Sequence, residues 1–272
     1  MKARLAYCLL TGVCALSLAC APAETPPPQE EEQVAVDPCE GRNTLTDAEK
    51  AEGWTLLFDG ETTAGWHGYN GQSVEAWMIE DCALKSVGTE GNYGSDMRAD
   101  MATDGEFTNF ELVIDWKATT AGNSGLMYGV IEDPKYDAAW KTGPEYQFVD
   151  DTAQFDLGEG KLEELADYQK AGANYAMHSA SDDKELKPVG EWNTTKIVVN
   201  GPHVEHWLNG KKIVEFERWT DEWNELKNSG KWKDAPDYGD AKTGRIVIQD
   251  HGSVFWFRNI KIREIEDAPA AE

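Results

Sequence analysis

Glu145 and Gln147 stand two residues apart in Gly143-Pro-Glu-Tyr-Gln-Phe-Val-Asp150, an otherwise apolar, strand-like run. Side chains alternate across a β-strand, so this spacing puts an ionisable acid and an amide on one face and turns Tyr146 and Phe148 toward a core. The polar face is then either open to water or the wall of a cleft. A second stretch, Arg245-Ile-Val-Ile-Gln-Asp-His251, repeats the device: Ile246 and Ile248 face inward, while Gln249 and His251 share the opposite face. A carboxylate, an imidazole and amides converging on one cleft suit proton transfer to and from a polar small molecule. Glu145 is the first general base to consider, and His251 is a second base or the acid for a departing oxygen. Asn123, Gln147 and Gln249 would orient hydroxyl and carbonyl groups.

A third acid depends on strand geometry. In Val204-Glu-His-Trp-Leu208 alternation puts Glu205 and Trp207 on one face and Val204, His206 and Leu208 on the other, so that Glu205 belongs to a site and His206 to the core. One bulge would exchange the two faces and bring His206 to the substrate instead. Most of the eleven tryptophans should be packing residues, because burying so large a ring is a major source of stability. Trp207 is the better candidate for a sugar-stacking platform. Glu145, Glu205 and His251 could also coordinate a divalent cation, a mixed nitrogen and oxygen set compatible with several metals; no other cofactor is implied. The sequence contains neither a Gly-rich phosphate loop nor a serine-nucleophile elbow. His67, His178 and His203 are isolated and read as surface or locally bonded imidazoles, with His178 near Tyr175 in a region that could also form the cleft rim.

Many short β-rich runs must carry these residues: Trp54–Phe58, Trp77–Lys85, Phe110–Lys117, Leu126–Ile131, Glu145–Val149, Thr195–Val199, His203–Leu208, Lys212–Phe216, Arg245–Gln249 and Val254–Arg263. The pattern is all-β, a sandwich or barrel. Asn209-Gly210 is a two-residue hairpin signal, since both residues tolerate the positive φ of a type I′ turn. Helices should be few and peripheral: a capping-box start at Thr46-Asp-Ala-Glu49, a helical face through Leu162, Leu165 and Ala166, and another through Trp219, Trp223 and Leu226. Residues 41–266 are long enough for one well-buried domain and show no internal linker, with 267–272 a disordered tail.

Lys2 and Arg4 precede an apolar run from Leu5 to Ala19 that is too short to span a membrane and reads as a signal peptide over 1–19. Cys20 opens an acidic, proline-rich tether to residue 40, which stays extended and unfolded. The segment resembles a bacterial lipoprotein signal with Cys20 acylated, although Leu16 lies one place further from the cysteine than usual; ordinary cleavage near Ala19 or Ala23 is the alternative. The chain is thus expected to be exported and held to a membrane by its lipid, on the periplasmic or cell-surface side of an outer membrane. Cys39 and Cys82 are then the remaining thiols of an exported chain and are expected to form a disulfide. The formal charge of −25 becomes −27 once Lys2 and Arg4 are removed, which disfavours nucleic acid as a partner.

Trp54-Thr-Leu-Leu-Phe-Asp-Gly60 with Gly65-Trp66, Gly122-Asn-Ser-Gly125, Gly143-Pro-Glu-Tyr-Gln147, Gly190-Glu-Trp-Asn193, Val204-Glu-His-Trp-Leu-Asn-Gly210, Gln249-Asp-His-Gly252 and Phe257-Arg-Asn-Ile-Lys-Ile262 occur in an order that resembles the 3-keto-disaccharide hydrolase domain family. The resemblance implies a concanavalin-like jelly-roll sandwich of two antiparallel sheets, a site on the concave face, and action on glycosides oxidised to a ketone at C3. It also implies kinship with lipoproteins of polysaccharide-degrading bacteria. A conventional retaining glucanase of that fold carries carboxylates at i and i+4 of one strand; here those places hold Glu145 and Val149. One carboxylate with a histidine and amides fits removal of the acidified C2 proton of a 3-keto sugar, followed by loss of the C1 substituent. Relatives often carry a polar or basic residue where this chain has Gly129, so a cleft side chain is lost or the pocket widened. The same sandwich also supports a non-catalytic carbohydrate-binding module, the alternative reading.

Overall fold

The computed structural model describes residues 39–88, 98–156 and 160–265. The expected signal segment, Cys20, the tether as far as residue 38 and the 267–272 tail lie outside the described residues. The described chain is all-β, a jelly-roll sandwich of two antiparallel sheets with a few short helices. The larger sheet runs β13 (Lys211–Glu217), β12 (His203–Leu208), β11 (Asn193–Asn200), β6 (Phe110–Ala118), β15 (Phe255–Glu264), β4 (Ala83–Ser86) and β3 (Trp77–Glu80), with β1 (Thr55–Leu56) also paired to β15. The smaller runs β2 (Trp66–Gly68), β5 (Met101–Thr103), β14 (Arg245–Ile248), β7 (Asn123–Val130) and β8 (Glu145–Val149).

Alternation built the larger sheet. Along β6 every second residue is buried, and Leu112, Ile114 and Trp116 meet Leu126, Tyr128, Tyr146, Phe148, Ile246 and Ile248 of the facing sheet. Phe148 packs on Trp116, Tyr146 and Phe257 at ring separations of 4.9, 5.4 and 5.9 Å. Burying such a side chain contributes roughly 1.5–3 kcal/mol. The smaller sheet differs: all five residues of β8 are buried, because its outer face is covered as well. There Tyr69, Ala102, Met127, Val130, Ala139 and Val247 form a second apolar cluster beneath Trp140.

The run Trp77–Lys85 is two strands, because Asp81 and Cys82 both take positive φ (50° and 60°) and turn the chain back. Asn209 and Gly210 make the expected turn with φ of 49° and 86°. The helical face expected at Leu162–Ala166 is instead β10 (Leu162–Glu164), paired with β9 (Gln154–Asp156) in a separate ribbon. Its fully exposed register gave no packing to favour a helix. The other two helices form: α1 (Asp47–Ala51), closed by the Thr46–Glu49 capping box, and α2 (Asp221–Ser229), capped by Thr220 and burying Trp223. Cys39 and Cys82 are joined by a disulfide with Cα atoms 5.4 Å apart, and Asn43 Nδ2 donates to the Cys82 carbonyl beside it.

Candidate active site

β7 is the axis of the site, with β8 on one side and β14 on the other. In register, Gly125 faces Gln147 and Met127 faces Glu145, while the Gln249 N–H donates to the Gly125 carbonyl at 2.9 Å just past β14. Ser124 Oγ donates to the Gln249 carbonyl at 2.8 Å. This pairing brings Asn123, Glu145, Gln147, Gln249 and His251 to one cavity of about 140 Å³, closed by Trp140, Tyr175 and Lys231. A second cavity of about 500 Å³ adjoins it, sharing Asn123, Gln147, Tyr175, Lys231 and His251 and adding Phe155, Asp156, Leu165, Gln169 and Ser253. A separate cleft of about 380 Å³ offers Asp150, but Ala121 N–H and Thr152 already occupy that carboxylate.

Glu145 is 4 % exposed and Gln147 3 %, so the polar face of β8 is roofed rather than solvated. Burial pushes the Glu145 carboxyl up to about 8; the positive charge of Lys231 opposes the rise and Asp100 adds to it. Asp100 is itself pushed up to about 7 by burial and accepts the Asp250 N–H at 2.9 Å. His251 stands at the open rim, where desolvation of its ring, opposed by a backbone hydrogen bond and the Asp250 charge and aided by Lys231 and Arg98, holds the imidazole below its ordinary value. The Gln147 amide reaches the Asn123 side chain at 3.3 Å; with its nitrogen turned inward it donates to Glu145 Oε1 at 3.2 Å and to the Ser124 carbonyl at 3.1 Å. At neutral pH the cavity therefore holds a protonated acid beside a neutral imidazole, with amide donors and one ammonium around them.

Gly125 makes room for that acid. A Cβ at this position would overlap the Glu145 carboxyl group. Lys231 begins the 3₁₀ turn Lys231–Asp234 after α2 and lies 4.2 Å above the Tyr175 ring. Tyr175 belongs to the segment expected as a cleft rim, whereas Trp140, Lys231 and Asp100 are not marked by the sequence. They sit in short irregular segments where no period marks a face, and Trp140 and Lys231 carry only the weak signal of an aromatic next to a cation.

The Glu205 group goes elsewhere. β12 pairs with β11 without interruption, and the bulge at His206/Trp207 falls on the β13 side, leaving Ile213 as the extra residue. Alternation along β12 is therefore preserved. His206 is fully buried: its Nδ1 lies 3.0 Å from the Gly172 carbonyl and its Nε2 3.2 Å from Tyr128 Oη, and burial pushes it down to about 3. It is a core residue and does not reach the cavity. Glu205 and Trp207 lie on the outward face of the larger sheet, where the Trp207 Nε1–H donates to Glu205 at 2.7 Å and Lys196 covers the indole at 4.0 Å. Neither lines the cavity, so Glu145, Glu205 and His251 are not assembled as one ligand set, and Trp140 takes the wall position considered for Trp207. Gly129 has φ of +65°, which breaks the alternation; a Cβ there would meet the Ala241 carbonyl and Arg218 instead of the cavity.

Comparison with known proteins gives the site a family. Residues 53–263 match the profile of the 3-keto-alpha-glucoside-1,2-lyase-like domain. A 3-keto-disaccharide hydrolase of Bacteroides thetaiotaomicron is 32% identical over 236 residues, spanning 79% of this chain and 80% of that one. A solved candidate glycosyl hydrolase of Parabacteroides distasonis is 42% identical, with a TM-score of 0.75 over 83% of this chain and all of its own. Another from that organism is 29% identical, with a TM-score of 0.58 over 78% of this chain and 99% of its own. The matched span contains both sheets and every described residue of the Glu145 cavity, and on that ground the chain belongs to the 3-keto-alpha-glucoside-1,2-lyase-like domain family.

Proposed function

We propose that this protein is a carbohydrate-active enzyme that cleaves glycosides carrying a ketone at C3, starting with loss of the C2 proton. One observation carries the reading: Glu145, buried and raised to about 8, lines one cavity with the rim imidazole of His251 and the amides of Asn123, Gln147 and Gln249. Double displacement uses two carboxyl groups about 5–5.5 Å apart. Among the described residues lining the inner cavity, Glu145 is the single carboxyl.

The inner volume suits one six-membered ring, since an apolar cavity of about 150 Å³ admits benzene. The leaving group then extends into the larger cavity, and the residues shared by both stand beside the C1–C2 bond. Burial favours Glu145 as the donor to the C3 oxygen and His251 as the base, an exchange of the roles first considered from sequence. His251 takes the C2 proton, and the electron pair passes into an enolate whose oxygen is held by the Glu145 proton and the Lys231 ammonium. Collapse of the enolate breaks the C1–O bond, leaves a C1=C2 double bond conjugated with the ketone, and returns the proton from His251 to the departing oxygen. Addition of water across that double bond gives net hydrolysis, which joins the lyase of the family description to the hydrolase name of the Bacteroides relative.

The decisive assay incubates the purified protein with paired glucosides, native and 3-keto, with and without chelator, and follows aglycone release. Only the 3-keto partner should react, more slowly with deuterium at C2. Activity should decline as pH rises through about 8, where Glu145 loses its proton; an ascending limb there would make Glu145 the base. Efficient cleavage of native glucosides would end the reading. The export signal and Cys20 support a place for the enzyme outside the cytoplasm, held by a lipid on Cys20. Metabolic labelling with a fatty-acid probe, lost in Cys20→Ala, tests that anchor.

A further inference from the structure

The outward face of the larger sheet carries a second cluster of titratable groups that the proposed reaction does not use. His203 and Glu217 face each other across β12 and β13, as do Glu205 and Glu215. Like charges directly opposed on neighbouring strands are destabilising and call for a cation between them. Lys212 supplies one, with Nζ 3.1 Å from Glu205 and 2.8 Å from Glu215, and His203, held above its ordinary value by Glu217 and Glu205, can supply a second, which still leaves the three carboxylates outnumbering the cations.

The imidazole geometry is more specific than charge alone. His203 Nδ1 lies 2.7 Å from Glu217 Oε1, while Nε2 lies 3.5 Å from Glu205 Oε1 and 3.5 Å from Glu215 Oε1. A carboxylate holding one ring nitrogen of a histidine fixes the tautomer and aims the other nitrogen as a ligand. Separations of 3.5 Å are at the limit of hydrogen bonding, whereas a tetrahedral zinc ion with bonds of about 2.1 Å spaces its donors about 3.4 Å apart. One donor atom from each of His203, Glu205 and Glu215 lies within 4.8 Å of the others. His203, Glu215 and Glu217 also line a cavity of about 550 Å³ with Thr220, Asp221 and Glu222, which gives an ion and a water ligand a way in.

We propose that His203, Glu205 and Glu215 form a binding site for a divalent transition ion of the zinc class, with Glu217 orienting the imidazole and water completing the shell from the cavity. One nitrogen with two carboxylate oxygens suits zinc-class ions, while calcium and magnesium favour all-oxygen shells. The ion displaces the Lys212 ammonium and clamps β12 to β13. The site is independent of the Glu145 cavity, which belongs to the other sheet.

The test uses the whole mature chain, stripped with chelator and titrated calorimetrically with zinc chloride near neutral pH, with cobalt(II) absorption reporting four-coordinate geometry. One ion per chain should bind. His203→Ala and Glu215→Gln should each weaken binding by at least about tenfold, Lys212→Met should tighten it by removing the competing cation, and Glu145→Gln should leave the isotherm unchanged. Absence of binding in both the wild type and Lys212→Met overturns the site. So does binding that survives His203→Ala or disappears in Glu145→Gln.

Discussion

Glu145 on β8 and Glu205 on β12 have the same local design, an acid two residues from a second polar or aromatic group on one face of a strand. Their fates are opposite. Glu145 lies under Trp140, Tyr175 and Lys231 and is pushed up to about 8. Glu205 lies on an open sheet face where burial acts against it, yet hydrogen bonds from Trp207, Lys212 and His203 outweigh that and hold it below its ordinary value. Residue type and period are alike, so the second layer over the strand decides which carboxyl is available for chemistry. The smaller sheet has that layer because its outer face is partly apolar, whereas the outer face of the larger sheet is laced with ion pairs and cation–aromatic contacts.

The largest expected difference between the two faces is in turnover. Glu145→Leu, which removes the donor that Gln would keep, should lower the rate on a 3-keto glycoside by roughly 10²–10³, while Trp207→Ala should leave it within about twofold; equal losses from both would erase the distinction. Next comes the room beneath the acid. Gly125→Ala forces the Glu145 carboxyl aside and should reduce kcat/KM by roughly 10², with circular dichroism unchanged, and full activity would mean that the position of Glu145 does not matter.

A smaller effect, of opposite sign on the two faces, lies in stability against pH. The folded state keeps the Glu145 proton up to about 8 against an ordinary value of 4.5, so its contribution is complete below about pH 4.5 and is lost as pH rises through 8. Glu145→Gln should therefore stabilise the fold relative to wild type at pH 8 more than at pH 5, by roughly 3–4 kcal/mol at about 1.4 kcal/mol per pH unit, read as a higher Tm. Glu205 has the reverse linkage: its contribution is present above the unfolded value and is lost as pH falls through the lowered folded one. Glu205→Gln should lower Tm slightly at neutral pH and lose that effect in acid, the size being that of an exposed pair, under about 1 kcal/mol. Thermal melts of both variants across pH 4–9 test the pair together, and parallel curves would contradict the contrast.

Much of the sandwich was legible because one-sided burial writes a period of two, as along β6 and β12. Strands of three residues such as β2 and β5 are too short to write one, and β10 is exposed throughout. At the site, Glu145 and Gln147 could be read from alternation within β8, whereas Gln249 and His251 follow the end of β14 at Ile248 and reach the cavity from the segment beyond it. Lys231, Trp140 and Tyr175 arrive from turns, and Asp100 acts through its charge and through the Asp250 N–H; position in space, not pattern, recruits them. The face of His206 depended on which partner strand absorbs a bulge, a matter of pairing that a single strand does not record.

The Cys39–Cys82 bridge has a mechanical consequence. Tension applied to the chain ahead of Cys39 crosses directly to the turn between β3 and β4, because the covalent link bypasses the 43-residue separation along the backbone. Residues 40–81, including α1, β1 and β2, then sit in a loop shielded from load, and a sustained pull at the N-terminus would leave them in place until the disulfide is reduced.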